Sequence, residues 1–158
     1  MAPRTPDLPA DFVELLAAFD RAEVHYLVIG GYAVGYHDRP RTTKDLDRLL
    51  DAAPDNLRRA SEALADFGAP PSVGGDLAAA TTDEIVWFGR PPLRVDFLKQ
   101  VSAVDFGDAW SRRVIDHWNG VPVSIVSRAD LVRIKRAAGR EQDLIDARNL
   151  ERSRPDDE

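Results

Sequence analysis

Residues 24–51 read VHYLVIGGYAVGYHDRPRTTKDLDRLLD, and the fold turns on how this stretch alternates. Val24 to Ile29 is a near-continuous apolar run, the pattern of a strand buried on both faces. Gly30-Gly31 breaks the run with a turn, a short helical or looped segment follows, and a second strand carries Asp45 and Asp47. Successive side chains on a strand point to opposite faces, so these two acids project together while Leu46 and Arg48 face the other way. Two like charges 4 Å apart repel by about 1 kcal/mol in water and roughly 4 kcal/mol in a screened protein site. Protonation, solvent or a bound cation must relieve that repulsion, and a divalent metal does so most directly. The double glycine lets the backbone approach a ligand and leaves amide N–H groups open to anionic oxygens. A carboxylate pair beside an amide-rich turn is what metal-assisted phosphoryl or nucleotidyl transfer requires.

Working outward, Phe12, Leu15, Leu16 and Phe19 recur with helical spacing and predict an amphipathic helix over 11–22, behind a loosely held, proline-rich segment at 1–10. Residues 54–67 predict a second long helix, opened by Pro54 and closed by Gly68. Residues 68–82 are rich in small and turn-forming types and are expected to form a loop beside the site. The runs 84–88 and 93–99, joined by Gly89-Arg90-Pro91-Pro92, read as a hairpin in which Arg94, Asp96 and Leu98 share one face. An acid in mid-strand is costly unless paired or metal-bound, so Asp96 is either a third site carboxylate or the partner of Arg94. Residues 101–112 carry no assignable pattern, whereas 113–126 form a second hairpin around Asn119-Gly120, with Trp118 in the core. Ser127 to Asp130 has the form of a capping box opening a helix to about Ala138, and a last helix spans 141–151. Arg48 occupies an inward-facing position, which calls for a more exposed sheet face or a local partner such as Asp51. His37 either packs locally or contacts a phosphate or base.

A chain of 158 residues and 17.5 kDa suits one domain, here 11–151, with a flexible tail at 152–158. With 44% hydrophobic and 30% charged residues the composition is that of a soluble globular protein. The absence of cysteine excludes disulfides and thiolate metal sites. No apolar run approaches the roughly 20 residues of a membrane span, so no membrane association and a cytoplasmic location are expected. A formal net charge of −6 argues against a sequence-independent duplex binder but not against an RNA substrate, because Arg39, Arg41 and Lys44 form a local cationic rim.

The pattern of apolar strand, Gly30-Gly31, spacer and Asp45-Leu46-Asp47, with Arg41-Thr42-Thr43-Lys44 directly before the acids, resembles the nucleotidyltransferase superfamily that includes DNA polymerase beta. The R-x-T-x-D-h-D form looks most like its AbiEii and MenT branch, many of whose members are toxins of toxin–antitoxin pairs. That resemblance implies an α/β fold, a small mixed sheet flanked by helices. It implies transfer of a nucleoside monophosphate from a nucleoside triphosphate to an acceptor hydroxyl, with one or two Mg²⁺ ions for which Mn²⁺ can substitute. Asp45, Asp47 and Asp96 are then the metal ligands, Asp96 also helping to deprotonate the acceptor. Gly30 and Gly31 supply backbone contacts, and Arg41, Thr43 and Lys44 support the triphosphate. The stretch LVRIKRAAGREQDLID resembles the C-terminal motif of the same proteins. Lys135 matches its triphosphate-binding lysine and Arg140 its arginine; Asp143 and Asp146 match the acids that orient the lysine or a metal-bound water. By the same resemblance the acceptor is a tRNA 3′ end or a protein side chain, with a cognate antitoxin as partner. The alternatives are an aminoglycoside-like small-molecule acceptor and a nucleotide- or partner-binding module of the same fold without turnover.

Overall fold

In the computed structural model, residues 6–39, 43, 45–79, 85–89, 94–101 and 103–153 are described. The elements run α1 (Ala10–Arg21), β1 (Tyr26–Ile29), α2 (Gly30–His37), β2 (Asp45–Leu50), α3 (Pro54–Phe67), α4 (Pro71–Ala79), β3 (Ile85–Phe88), β4 (Arg94–Leu98), α5 (Phe106–Ser111), β5 (Val114–Trp118), β6 (Val121–Ile125), α6 (Arg128–Ala138) and α7 (Glu141–Arg152). The strands form one mixed sheet in the order β3-β4-β2-β1-β6-β5. Pairing is parallel between β2 and β4 and between β1 and β6, and antiparallel elsewhere. This is the α/β fold expected from the alternation of apolar strands with amphipathic helices. Arg41 and Lys44, the Arg90-Pro91-Pro92 turn and residues 154–158 of the expected tail lie outside the described residues.

One sheet face is closed by α1 and α3. Phe12, Leu15, Leu16 and Phe19 of α1 are buried as their spacing predicts, and Val28, Leu46, Leu50, Val95 and Phe97 of the strands are buried with them. Burial of a side chain this size stabilises by about 1.5–3 kcal/mol. Trp118 is fully buried, as expected.

Four local expectations are corrected. The stretch expected to be a loop holds α4, because Pro71 opens a helix and Val73 and Leu77, four residues apart, bury one face of it. Gly30-Gly31 is not a free turn but the start of α2, with Gly30 at φ +69°, a left-handed conformation that favours glycine. In the stretch without a pattern, Asp105 caps α5 by accepting a hydrogen bond from the Asp108 amide at 3.1 Å. At α6 the Ser127 hydroxyl does accept from the Asp130 amide, but the Asp130 carboxylate takes Arg112 and Arg133 rather than closing a reciprocal box.

Arg48 is the fifth correction. It is neither exposed nor paired with Asp51: it is fully buried, with its guanidinium 4.4 Å from the Phe19 ring centroid, 5.0 Å from Tyr26 and 5.6 Å from Phe97. None of its three nitrogens has a hydrogen-bond partner among the described residues. Burial lowers its pKa to about 10 and raises that of the Tyr26 phenol to about 12, so the cation is answered by π faces and not by a phenolate. Each desolvated cation–π contact contributes about 2 kcal/mol, whereas desolvating an ion costs several. Arg48→Met should therefore keep or raise stability, while Arg48→Ala, which leaves a cavity, should lose about 2–5 kcal/mol. Urea denaturation of the two variants checks this; a Met variant as unstable as the Ala variant would show that the charge itself is required.

Candidate functional site

The second sheet face carries the acids. In-register pairing sets Asp45 opposite Arg94 and Asp47 opposite Asp96 on β4, while Ile29 of β1 pairs with Asp47 and Trp87 of β3 pairs with Asp96. Side chains at paired positions share a face, so Ile29, Asp47, Asp96 and Trp87 make one cross-strand row. The carboxyl groups of Asp47 and Asp96 are within hydrogen-bonding reach of each other. Asp45 lies one pleat out, on the same face but exposed.

This proximity has an electrostatic signature. Asp47 is pushed up to about 7, first by burial and then by the charges of Asp96 and Asp45, with the hydrogen bond that its protonated carboxyl donates to Asp96 adding to them; Lys135 pulls it back only in part. Asp96 meets a cation as well, for the Arg94 Nε donates to its Oδ1 at 2.6 Å. Asp96 thus lies beside Asp47 on the neighbouring strand and pairs with Arg94 at the same time. Among the described residues, no group of three or more histidine, aspartate or glutamate side chains stands ready-made as a metal cage.

The glycines fit around the acids. A Cβ on Gly30 would collide with the carboxylate of Asp47, and one on Gly31 would come within 2.9 Å of the Thr43 Oγ1. Only glycine therefore lets the start of α2 lie against β2. Thr43 donates its hydroxyl to the Asp45 carbonyl at 3.2 Å, which ties the entry of β2 to the same corner.

On the far flank, α2 packs on α6 and α7. Lys135 of α6 is mostly buried, its Nζ 3.3 Å from Asp143 Oδ1 and 3.1 Å from Asp146 Oδ2. Arg140 Nε donates to Asp143 Oδ2 at 2.7 Å, and Gln142 donates to Asp146 Oδ1 at 2.9 Å. Burial alone would raise Asp143, but Arg140 and Lys135 outweigh it and hold the carboxyl below its usual range. Lys135 is thus a fixed ammonium whose field reaches Asp47, while Arg140 is largely exposed. His37 is buried, with Nε2 2.7 Å from the Val126 carbonyl, and it fastens α2 to the end of β6.

The structure therefore brings together Gly30, Gly31, Thr43, Asp45, Asp47 and Asp96, with Lys135, Arg140 and Asp143 beside them. Two residues that the sequence left without a site role, Trp87 and Arg94, join the same face; the signal for them was the hairpin register, which composition does not reveal.

Comparison with known proteins gives the fold a context. No family model matches the chain, and no curated protein does. Among solved structures, the lincomycin-bound lincosamide antibiotic adenylyltransferase LnuA superposes with a TM-score of 0.53 at 15% identity, covering 94% of this chain and 98% of that one. An antigenic nucleotidyltransferase-like protein from Paracoccidioides brasiliensis gives a TM-score of 0.49 at 18% identity, covering 95% of this chain and 77% of that one. The chain shares the nucleotidyltransferase fold of the first of these over nearly its whole length.

A pH dependence follows from Asp47. The native carboxyl keeps its proton to about pH 7, whereas the unfolded chain releases it near 3.8. Between these values the native state binds more protons, so its stability falls as pH rises, by up to about 1.4 kcal/mol per pH unit. Native protein without divalent cations should be more stable at pH 5 than at pH 8 by a margin that Asp47→Asn removes. Melting temperatures of both proteins across that range check it; identical pH profiles would contradict the coupling.

Proposed function

We propose that this protein transfers a nucleoside monophosphate from a nucleoside triphosphate to an acceptor hydroxyl. The observation that carries this reading is the Asp47–Asp96 pair, two carboxylates from parallel neighbouring strands forced together beside a helix start that is bare at Gly30. Such a pair favours a divalent cation, and an all-oxygen donor set with one or two carboxylates suits Mg²⁺, which takes its remaining ligands from phosphate and water. In this reading Asp47 and Asp96 hold Mg²⁺ or Mn²⁺, and Asp45 joins them from the rim. When bound, the cation supplies charge neutralisation at the phosphate oxygens.

The chain's own groups do the rest. The Gly30 and Gly31 amides at the start of α2 and the Lys135 ammonium receive the triphosphate, with Asp143 and Asp146 fixing the lysine and Arg140 at the border. Arg41, Thr43 and Lys44 flank the entry to β2 and support the same phosphates. Asp96 accepts the proton of the acceptor hydroxyl as its oxygen bonds to the α-phosphorus and the bond to pyrophosphate breaks. By its sequence resemblance the acceptor is a tRNA 3′ end or a protein, as in a toxin held in check by an antitoxin. The small molecule named with the lincosamide adenylyltransferase makes a third acceptor class worth testing. One observation favours a second reading: the Arg94 guanidinium already answers Asp96, as it would in a nucleotide-binding module without turnover.

Incubation with each α-labelled nucleoside triphosphate and Mg²⁺, offered total tRNA, cell protein, kanamycin and lincomycin in turn, separates these readings. Transfer of label with release of pyrophosphate is expected, falling on the order of 10²–10³-fold in Asp47→Asn, as loss of several kcal/mol of charge stabilisation implies. Nucleotide binding without pyrophosphate release would favour the binding module instead.

A further inference from the structure

A cavity separate from the acid row lies at the other end of β1. Ile29 pairs with Asp47 at one end of the β1–β2 ladder and Tyr26 with Leu50 at the other, about 10 Å away along the strands. The cavity encloses about 530 Å³ between the end of α1, α3, α5 and the β5–β6 hairpin. Its floor holds two donors without acceptors: the Tyr26 hydroxyl and the Arg59 Nε–H are buried and make no hydrogen bond among the described residues. Burial pushes the Tyr26 phenol up to about 12; Arg48 and the Ser124 backbone pull it down and Asp20 pushes it further up, which places the hydroxyl beside Asp20 and Ser124, two other lining residues. The rim is acidic. Asp20 and Glu23, both exposed, stand at the C-terminal end of α1, where the helix dipole already concentrates negative potential. Glu23 holds φ +57° while the Val24 amide donates back to the Phe19 carbonyl, so a glutamate occupies the position past a helix end where glycine is usual. Between floor and rim the wall is largely apolar. His25 lies flat against Trp110, ring centroids 4.3 Å apart and planes 15° apart, with the Arg113 guanidinium 3.8 Å from the same indole centroid, and Ile115, 55% exposed, lines the cavity with them.

We infer that this cavity binds a free α-amino acid with an apolar side chain, its carboxylate inward on Tyr26 and Arg59, its ammonium outward on Asp20 and Glu23, and its side chain against Trp110 and Ile115. The pattern of donors and charges selects this class. Burying a donor without an acceptor costs the desolvation of that group, so a floor with two of them is completed by an oxygen acceptor. One of the two belongs to a guanidinium, whose Nη1 is taken by Asp55 and whose Nε is left for the ligand, and a carboxylate suits it best. A plain carboxylic acid would meet repulsion from both rim carboxylates, and a plain amine would satisfy the rim while leaving both floor donors bare. A ligand with both charges on one carbon answers floor and rim together, and the apolar wall takes up its side chain. The cavity shares no lining residue with the acid row, so the site stands whether or not the protein transfers nucleotides.

The experiment uses the full chain without nucleotide, and L-phenylalanine and L-leucine as probes. The indole N–H signal of Trp110, assigned by its loss in Trp110→Phe, should shift on titration with at least one of them, while those of Trp87 and Trp118 stay in place. The amine and the carboxylic acid that share the side chain of the bound probe, each lacking one charged group, should bind about tenfold more weakly or worse. Tyr26→Phe keeps the ring beside Phe19 and Arg48 and removes only the hydroxyl, and affinity should fall about tenfold. Glu23→Gly removes a rim carboxylate and suits the left-handed backbone, so affinity should fall about threefold or more while the melting temperature is kept or raised. Retained Trp87 and Trp118 signals report that each variant is folded. A Trp110 signal unmoved by both amino acids, native affinity in either variant, or an amine or carboxylic acid that binds as tightly as the amino acid would overturn the assignment.

Discussion

Asp47 and Asp96 repel one another, and much of the surrounding structure serves to keep them side by side. Their strands run parallel and in register, so each carboxyl faces the other without a turn that could relax to separate them. A slip of one residue would send the whole set of side chains on β2 to the opposite face and place an acid in the core, which makes the register hard to escape. The strain shows in the proton that Asp47 holds to about pH 7. A fold that retains such a pair is suited to exchange that proton for a cation.

The opposite face explains how the register is held. Phe19 comes from α1, Tyr26 from β1, Arg48 from β2 and Phe97 from β4, and the Phe19 and Phe97 rings stack at 5.7 Å beneath the guanidinium. One aromatic cluster thus ties the first helix to the three central strands, directly behind the acids. Strand alternation makes this possible, because the residue between inward-facing Leu46 and Arg48 is Asp47. Lys135 is fixed from a third direction by Asp143 and Asp146, so its charge is held near the pair without being consumed by it.

How far the sequence could reveal this depended on whether each feature is local. The common face of Asp45 and Asp47 is a property of three consecutive residues, and the sequence shows it directly. The match of Asp96 to Asp47 depends on a pairing some fifty positions away, for which only the family resemblance gave a hint. Arg48 was misjudged because its partners are aromatic rings supplied by α1, β1 and β4, and among the described residues it has no ion partner. Helix α4 was hidden by glycines and alanines, although Val73 and Leu77 carried the right spacing. Trp87 looked like any strand aromatic until hairpin pairing put it beside Asp96. The tether of Lys135 to Asp143 was legible through its motif, whereas Arg41 and Lys44 fall outside the described residues and keep only the roles their motif suggests.

The central claim is that the Asp47–Asp96 pair exchanges a proton for a divalent cation when nucleotide binds. Calorimetry of nucleotide and Mg²⁺ binding at pH 6.5, repeated in buffers of different ionisation enthalpy, counts the protons released. Subtracting the count for Asp47→Asn from that for the native protein cancels the protons of the nucleotide itself. The account predicts a difference of roughly half a proton or more in favour of the native protein, since a carboxyl that titrates near 7 is mostly protonated at this pH. Equal proton release by the two proteins, with nucleotide binding intact in both, would contradict it.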